Sequence, residues 1–412
     1  MMRHLLVPVL LLALRGEAQK AGSLIRQVHP SLSWKRCGND TAGAATCETV
    51  NGKVVVDAGW RWVHRADSFF NCYTGNSWDR EFCSTNDACT AGCVVEGTDA
   101  AGLRETFGVV VDGGRLSQRV ATPHASGTTL NSRVFLLEEG AERYQTFTLM
   151  GNELAFDVDV SSVGCSINSA LYFVAMDPDG GRGRYPTNQA GARYGTGYCD
   201  ASCSRGNRFV GGKARNCPPF YLQANAEGWV PLDETRGEGD FGACCSEFDV
   251  WLGNKSFYGK GKTVDTDKKI TLDSLYPVFF LPCDFFVQDG KRIDAPAPAY
   301  AGFPDESGIS PGHCRVLPFV FGEANYFEQV GGYHHHNEAL RRPMVLAMSI
   351  SDDYWTKNLW LDSTYPVDGS GPGTERGDCP RYNGGPTLPV EPTYDSKVAW
   401  SNIRFGPIGT TV

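Results

Sequence analysis

The chain has 412 residues, a formal net charge of -9 and 21% charged residues, with acids and bases interspersed along its length. No basic stripe is available to neutralise phosphates, which argues against nucleic acid as a partner. An aromatic content of 11%, including 9 Trp and 16 Tyr, suits a neutral polymer better, because flat rings stack on the apolar faces of sugars much as they stack on one another.

The chain opens with basic Met1-Met2-Arg3-His4, continues with the apolar run Leu5 to Leu14, and offers small residues in Gly16-Glu17-Ala18. Residues 1–18 therefore read as a secretory signal, with Gln19 as the mature N-terminus. The apolar run is shorter than the roughly 20 residues that span a bilayer, and no other run approaches that length. A soluble, extracellular protein is expected, without a membrane partner. Its 15 cysteines imply a disulfide framework, and the odd number leaves at least one thiol outside it. No Cys-x-x-Cys pair supplies zinc spacing, so neither metal nor cofactor is expected. The sequons Asn39-Asp40-Thr41 and Asn254-Lys255-Ser256 fit a glycoprotein on the secretory route.

Strand signals follow in chain order. Val54 to Asp57, Gln145 to Met150, Leu154 to Val160, Ala170 to Met176, Val345 to Ile350 and Val398 to Phe405 read as strands. In the third, Leu154, Phe156, Val158 and Val160 alternate with Asp157 and Asp159. Gly, Pro, Asn and Asp gather in Asp177 to Arg184, Gly237 to Gly242, Ala301 to Gly312 and Asp368 to Gly373, which read as loops. Helical periodicity is confined to a turn or two around Asp87 to Cys93. With no linker and no internal repeat, residues 19–412 read as one all-β domain, a β-sandwich whose long loops line one concave sheet.

The stretch Cys244-Cys245-Ser246-Glu247-Phe248-Asp249-Val250-Trp251 carries the most chemistry. At period 2, Glu247 and Asp249 point to the same face of a strand. Two carboxyls about 5 to 5.5 Å apart serve a retaining glycosidase, one attacking the sugar and the other protonating the departing oxygen. Acids so spaced also occur as plain solvent-facing residues, and spacing alone does not decide between the two.

Longer motifs do. Trp60-Arg61-Trp62, Gly151 to Val160, Ala170-Leu171-Tyr172-Phe173-Val174, Tyr185-Pro186-Thr187-Asn188 and Tyr194 to Asp200 resemble glycoside hydrolase family 7, the secreted cellobiohydrolases and endoglucanases. So do Cys244 to Trp251, Ser256-Phe257-Tyr258-Gly259, Leu359 to Pro366 and Ser401 to Gly409. The resemblance implies a jelly roll of two curved antiparallel sheets, concanavalin A-like, and a monomer that degrades cellulose or a related β-1,4-glucan. It implies Glu247 as nucleophile and Asp249 as its helper carboxyl. Trp62 and Trp360 match tryptophans that stack on glucosyl units, while Asn168, Tyr172, Tyr198, Asp200 and Arg376 match polar groups of the cleft. The family's disulfides carry over as Cys37 with Cys47, Cys72 with Cys93, Cys83 with Cys89, Cys165 with Cys379, Cys199 with Cys245 and Cys203 with Cys244.

The departures are as specific as the matches. Where the family motif continues after the tryptophan with its acid/base glutamate, this chain has Leu252, and Leu252 to Gly259 looks like a stretch the family places tens of residues later. A deletion there removes the acid/base residue and leaves Cys314 without its family partner; Cys217 and Cys283 are also left over. A skipped exon and a divergent paralogue both fit such a junction. Ser351 stands where a stacking tryptophan is expected, and Ser202 where a glutamine usually follows Cys-Asp. The implied function is a secreted retaining β-1,4-glucanase, impaired in this chain; the alternative is a non-catalytic glucan-binding pseudoenzyme. Altered loops favour an open cleft over a closed tunnel. His334-His335-His336 reads as a solvated tract in a Gly-rich loop. Gly308-Ile309-Ser310-Pro311-Gly312 fits a serine-hydrolase elbow only as text, since no following helix is evident.

Overall fold

The computed structural model describes residues 19–185, 188–211, 222–233, 236–248, 256–276, 283–298, 300–305, 308, 310–322, 324–329, 331–353, 356–381 and 394–412. The signal-like residues 1–18, Asp249, Leu252 and Cys217 lie outside this set. Most of the described elements are strands, in keeping with the jelly-roll sandwich.

One long sheet carries the fold. Its strands lie in the order Glu247–Phe248, Ile167–Val174, Met344–Asp352, Ser132–Leu137, Ala45–Val56, Ser31–Asn39, Lys397–Pro407, Asn152–Asp159, Ile270–Leu275, Cys283–Gln288 and Lys291–Asp294. Every neighbour is antiparallel except Ser31–Asn39 against Lys397–Pro407, where Lys35 faces Arg404 and Arg36 faces Phe405 in parallel register. A single buried cluster draws Val56, Val134, Phe173 and Met348 from one half of this order and Phe156, Ile270, Phe286 and Trp400 from the other. The sheet therefore folds over on itself, and the two halves enclose the core as the layers of a sandwich. Phe147 ties the halves: its ring meets Trp34 at 5.2 Å, Phe173 at 5.8 Å and Phe405 at 4.9 Å, all edge-on, the arrangement that ring quadrupoles favour.

Period-2 alternation sends the remaining apolar residues to the opposite face. Val55, Phe135, Leu137, Tyr172, Val174, Val345 and Ala347 form a second buried cluster there with Tyr144 and Tyr198. The central strands are thus buried on both sides. Asp157, one of the acids expected on the polar side of its strand, is also buried, meeting Lys269 Nζ at 3.0 Å and Thr271 Oγ1 at 2.7 Å. The strand expected over Gln145 to Met150 shrinks to Thr146–Phe147.

Helical content exceeds the sequence expectation. Asn86–Gly92 forms where a turn or two was expected, but Ala100–Glu105, Pro311–Phe321, Tyr326–Gln329 and Gly332–Leu340 are helices as well. Pro311–Phe321 has standard termini: Ser310 caps it, Pro311 occupies the first turn, and Gly322 closes it at φ 68°. Its glycines and interior Pro318 hide the pattern in the sequence. The histidine tract likewise belongs to a helix, entered through Gly331 at φ 109°.

All six family disulfide pairs are bonded, closing loops from 6 to 214 residues. Cys314 is a free, buried thiol, 3.4 Å from the Tyr333 hydroxyl. His336 points inward from its helix, with its ring 5.5 Å from Phe248 and 5.8 Å from Phe327. Burial pushes its pKa below 6.5, because the apolar site disfavours the imidazolium. The folded pKa therefore lies below the unfolded one, so this group's contribution is complete above about pH 6.5 and is lost as pH falls through the folded value. His336→Phe is expected to raise Tm, by more at pH 5 than at pH 8, in paired thermal melts; an equal gain at both pH values would contradict this account.

Candidate functional site

Register places the site on the second face of the sheet. Glu247 lies directly opposite Val174, and Phe248 opposite Phe173. Phe248 and Phe173 belong to the sandwich core, so Glu247, on an edge strand, faces the other side with Val174, where its side chain is half-buried.

Two disulfides fix what stands beside it. Cys199–Cys245 and Cys203–Cys244 clamp residues 199–203 onto the start of the edge strand. The clamp is reinforced by Cys245 N–H donating to the Asp200 carbonyl at 3.0 Å. The consequence is a backbone N–H aimed at a carboxylate: Ala201 N–H donates to Glu247 Oε2 at 3.1 Å. A donor fixed in this way orients the carboxylate. The Asp200 side chain is turned to local work, accepting from Ser202 Oγ at 2.8 Å and Ser204 N–H at 3.0 Å. Ser202, where glutamine was expected, thus holds Asp200.

Tyr172 and Tyr198 meet at 3.2 Å between hydroxyls. Burial pushes the Tyr198 phenol far above its ordinary value, so it stays a neutral hydroxyl. Between them lies Arg133, absent from the sequence-based set. Its guanidinium sits 3.1 Å from the centre of the Tyr198 ring, donates to the Tyr172 hydroxyl at 3.4 Å, and forms a 2.8 Å ion pair with Asp57. Asp57 in turn accepts from Gly59 N–H at 2.7 Å, capping the turn that leads into Trp60-Arg61-Trp62. The available signal was one arginine heading the apolar run Val134-Phe135-Leu136-Leu137, at a parity that puts it on the same face as Phe135 and Leu137.

Further along this face, Asn168 pairs with Ser351 across the sheet, in the register where Tyr172 pairs with Ala347. Asn168 and Val174 are separated by about 20 Å along one strand at roughly 3.3 Å per residue. The candidate residues therefore spread along one face of the sheet and do not meet at a point. Asn358 anchors the next segment to this end, donating to the carbonyls of Ser166 at 2.8 Å and Ser351 at 3.3 Å. The helix Leu359–Asp362 follows with half-buried Trp360, whose carbonyl accepts from Arg376 at 3.0 Å. Trp360 and Arg376 are therefore neighbours. Trp62 stands apart from both clusters, stacked on His64 at 4.0 Å between centroids and donating from Nε1 to Asn71 Oδ1 at 2.6 Å.

Other candidate chemistry resolves into structure. The cysteines of the trios Cys72/Cys83/Cys93 and Cys165/Asp362/Cys379 are all in disulfides. His334, His335 and Glu338 lie together on an exposed helical face. The helix after Ser310 that the elbow reading lacked does exist, but Ser310 Oγ serves as its cap, 2.9 Å from His313 Nδ1. Burial pushes the Asp362 carboxyl up to about 6.

Comparison with known proteins matches a model of glycosyl hydrolase family 7 to residues 21–255 and 252–412. The two stretches meet at the Leu252 junction where the sequence departs from the family motif. A family 7 cellobiohydrolase from Daphnia pulex superposes with a TM-score of 0.88 at 32% identity, over 96% of this chain and 100% of that one. The Melanocarpus albomyces cellobiohydrolase, solved with cellotetraose, gives 0.87 at 42% identity over the same shares. The Humicola insolens endocellulase gives 0.72 at 26%, again over 96% and 100%.

The buried Arg133–Asp57 pair generates a stability test. Arg133→Met strands a buried carboxylate and is expected to cost about 3 to 5 kcal/mol in chemical denaturation. Adding Asp57→Asn, which keeps the cap on Gly59 but removes the charge, is expected to recover part of that loss; strict additivity of the two changes would rule out the coupling.

Proposed function

Because the chain belongs to glycosyl hydrolase family 7, whose members include cellobiohydrolases and endocellulases, we propose that it engages β-1,4-glucan in the groove and attacks the sugar with Glu247. The observation that carries this reading is the Ala201 N–H hydrogen bond to Glu247, held by two disulfides on the groove face of the edge strand. Retention would proceed through a glycosyl-enzyme: Glu247 bonds to the anomeric carbon as the leaving oxygen departs, and water later releases the sugar. Asp249 would tune Glu247. Tyr172, Tyr198, Asp200 and Asn168 would line the groove, with Arg376 beside Trp360, and Trp62 and Trp360 would stack on glucosyl units. An extracellular monomer, released after removal of residues 1–18, agrees with the oxidised cysteines.

Leu252 limits this chemistry. A leucine donates no proton, and general acid help is worth roughly 10² to 10⁴ in rate. The break in the family match at 252–255 therefore favours an impaired enzyme, and at the limit a glucan-binding protein without turnover. The same break removes loop material and supports an open cleft.

The discriminating substrate is an aryl cellobioside with an activated phenol, whose departure needs little protonation. Phenol release with a covalent adduct on Glu247, seen by peptide mass spectrometry and abolished in Glu247→Gln, is expected alongside cellulose turnover too slow to sustain digestion. Binding of cellulose without phenol release or adduct would leave only the non-catalytic reading.

A further inference from the structure

The loop that follows Val63–Arg65 exposes two adjacent phenylalanines. Phe69 is 74% and Phe70 67% exposed, against 0% for the Cys72 that ends the loop. Phe69 lies 6.4 Å from Trp62 with only 20° between the ring planes, and Trp62 lies at 29° to His64 beneath it. Phe70 continues towards Phe82 at 6.2 Å, and the Arg65 guanidinium sits 5.2 Å over the Phe82 ring.

The loop is held rigidly. Arg65 N–H donates to the Phe70 carbonyl at 2.9 Å and Ser68 N–H to the Arg65 carbonyl at 3.3 Å. His64 Nδ1 faces the carbonyls of Arg65 and Ser68 at 2.7 and 2.9 Å, and its Nε2 faces Glu96 at 2.9 Å. Glu96 is pinned by the backbone N–H groups of Gly97, Ile25 and Leu24. Cys72–Cys93 closes the base.

A rigid apolar patch kept in water marks an interaction. Three observations select the occupant. The Phe69 ring lies nearly parallel to Trp62, a residue assigned above to glucan stacking. Phe69 is exposed to water, and an exposed flat ring suits the apolar side of a pyranose. Asn71, which accepts from Trp62 Nε1, and the paired Arg65 and Asp67 of the same loop bring polar groups for the hydroxyls at a sugar's rim.

We propose that Phe69, flanked by Phe70, is an added glucan-stacking platform that extends the groove beyond Trp62 and takes a further glucosyl unit of a β-1,4-linked chain. The proposal rests on the glucan-binding reading. It assigns this loop to ligand affinity and leaves the bond-breaking step to other residues.

The test uses the full chain, calorimetry with cellohexaose and depletion onto regenerated cellulose. Phe69→Ala is expected to weaken both interactions about fivefold with Tm unchanged, Phe69→Trp to restore or exceed the parent affinity, and Phe69→Ala/Phe70→Ala to lose slightly more. Unaltered affinity in Phe69→Ala, while Trp62→Ala binds more weakly, would overturn the platform and leave the glucan reading standing. A parent chain that binds neither ligand would overturn both. Concentration-dependent dimerisation in sedimentation, lost in the double variant while glucan affinity is unchanged, would assign the patch to a second copy of this chain and likewise overturn the proposal.

Discussion

The ion pair between Arg133 and Asp57 is the contact on which the proposed groove depends. Arg133 brings a cation to the floor, where Tyr198 receives it on its ring and Tyr172 at its hydroxyl. Asp57 neutralises that cation and, through Gly59, fixes the turn that sends the chain out to Trp62. One carboxylate thus joins the floor to a wall. Two charges in so dry a place are tolerable only because each also has hydrogen-bonding or ring partners that complete its shell.

Burial of the central strands on both faces sets the second constraint. Tyr172 and Phe173 are consecutive, one in the groove floor and the other in the sandwich core. A shift of one residue in pairing would exchange them, sending a hydroxyl into the core and a phenyl ring to the groove. Glu247 inherits the same constraint through its register with Val174. Precision at the edge strand derives from packing in the middle of the sheet, and the disulfides add to it locally.

Much of this was legible in the sequence for definite reasons. Strands that alternate apolar and acidic residues, such as Leu154 to Val160, announce themselves, and long family motifs identify the cysteine partners. Arg133 was missed because its role depends on parity within a strand that carries no alternation of its own: Val134 to Leu137 are apolar throughout, as both faces are covered. The helix Pro311–Phe321 was missed because glycine and proline count as loop signals until one sees that Ser310, Pro311 and Gly322 sit at the positions where a helix wants them. Phe69 and Phe70 carry no motif that marks them in the sequence, and the geometry shows them facing water.

The parallel pairing of Ser31–Asn39 with Lys397–Pro407 also bears on how the molecule is made. The last strand is no edge addition: it lies between Ser31–Asn39 and Asn152–Asp159, near the middle of the sheet. During synthesis on the ribosome, the two halves of the sandwich emerge without the strand that joins them, and Phe147 has no Phe405 to meet. Closure of the core waits for this strand, so the nascent chain carries unpaired strand edges until Lys397–Pro407 has been made. Contacts of such long range fold slowly and expose the chain to aggregation, which makes loss of the strand Lys397–Pro407 a failure of assembly, not a trimming of the surface.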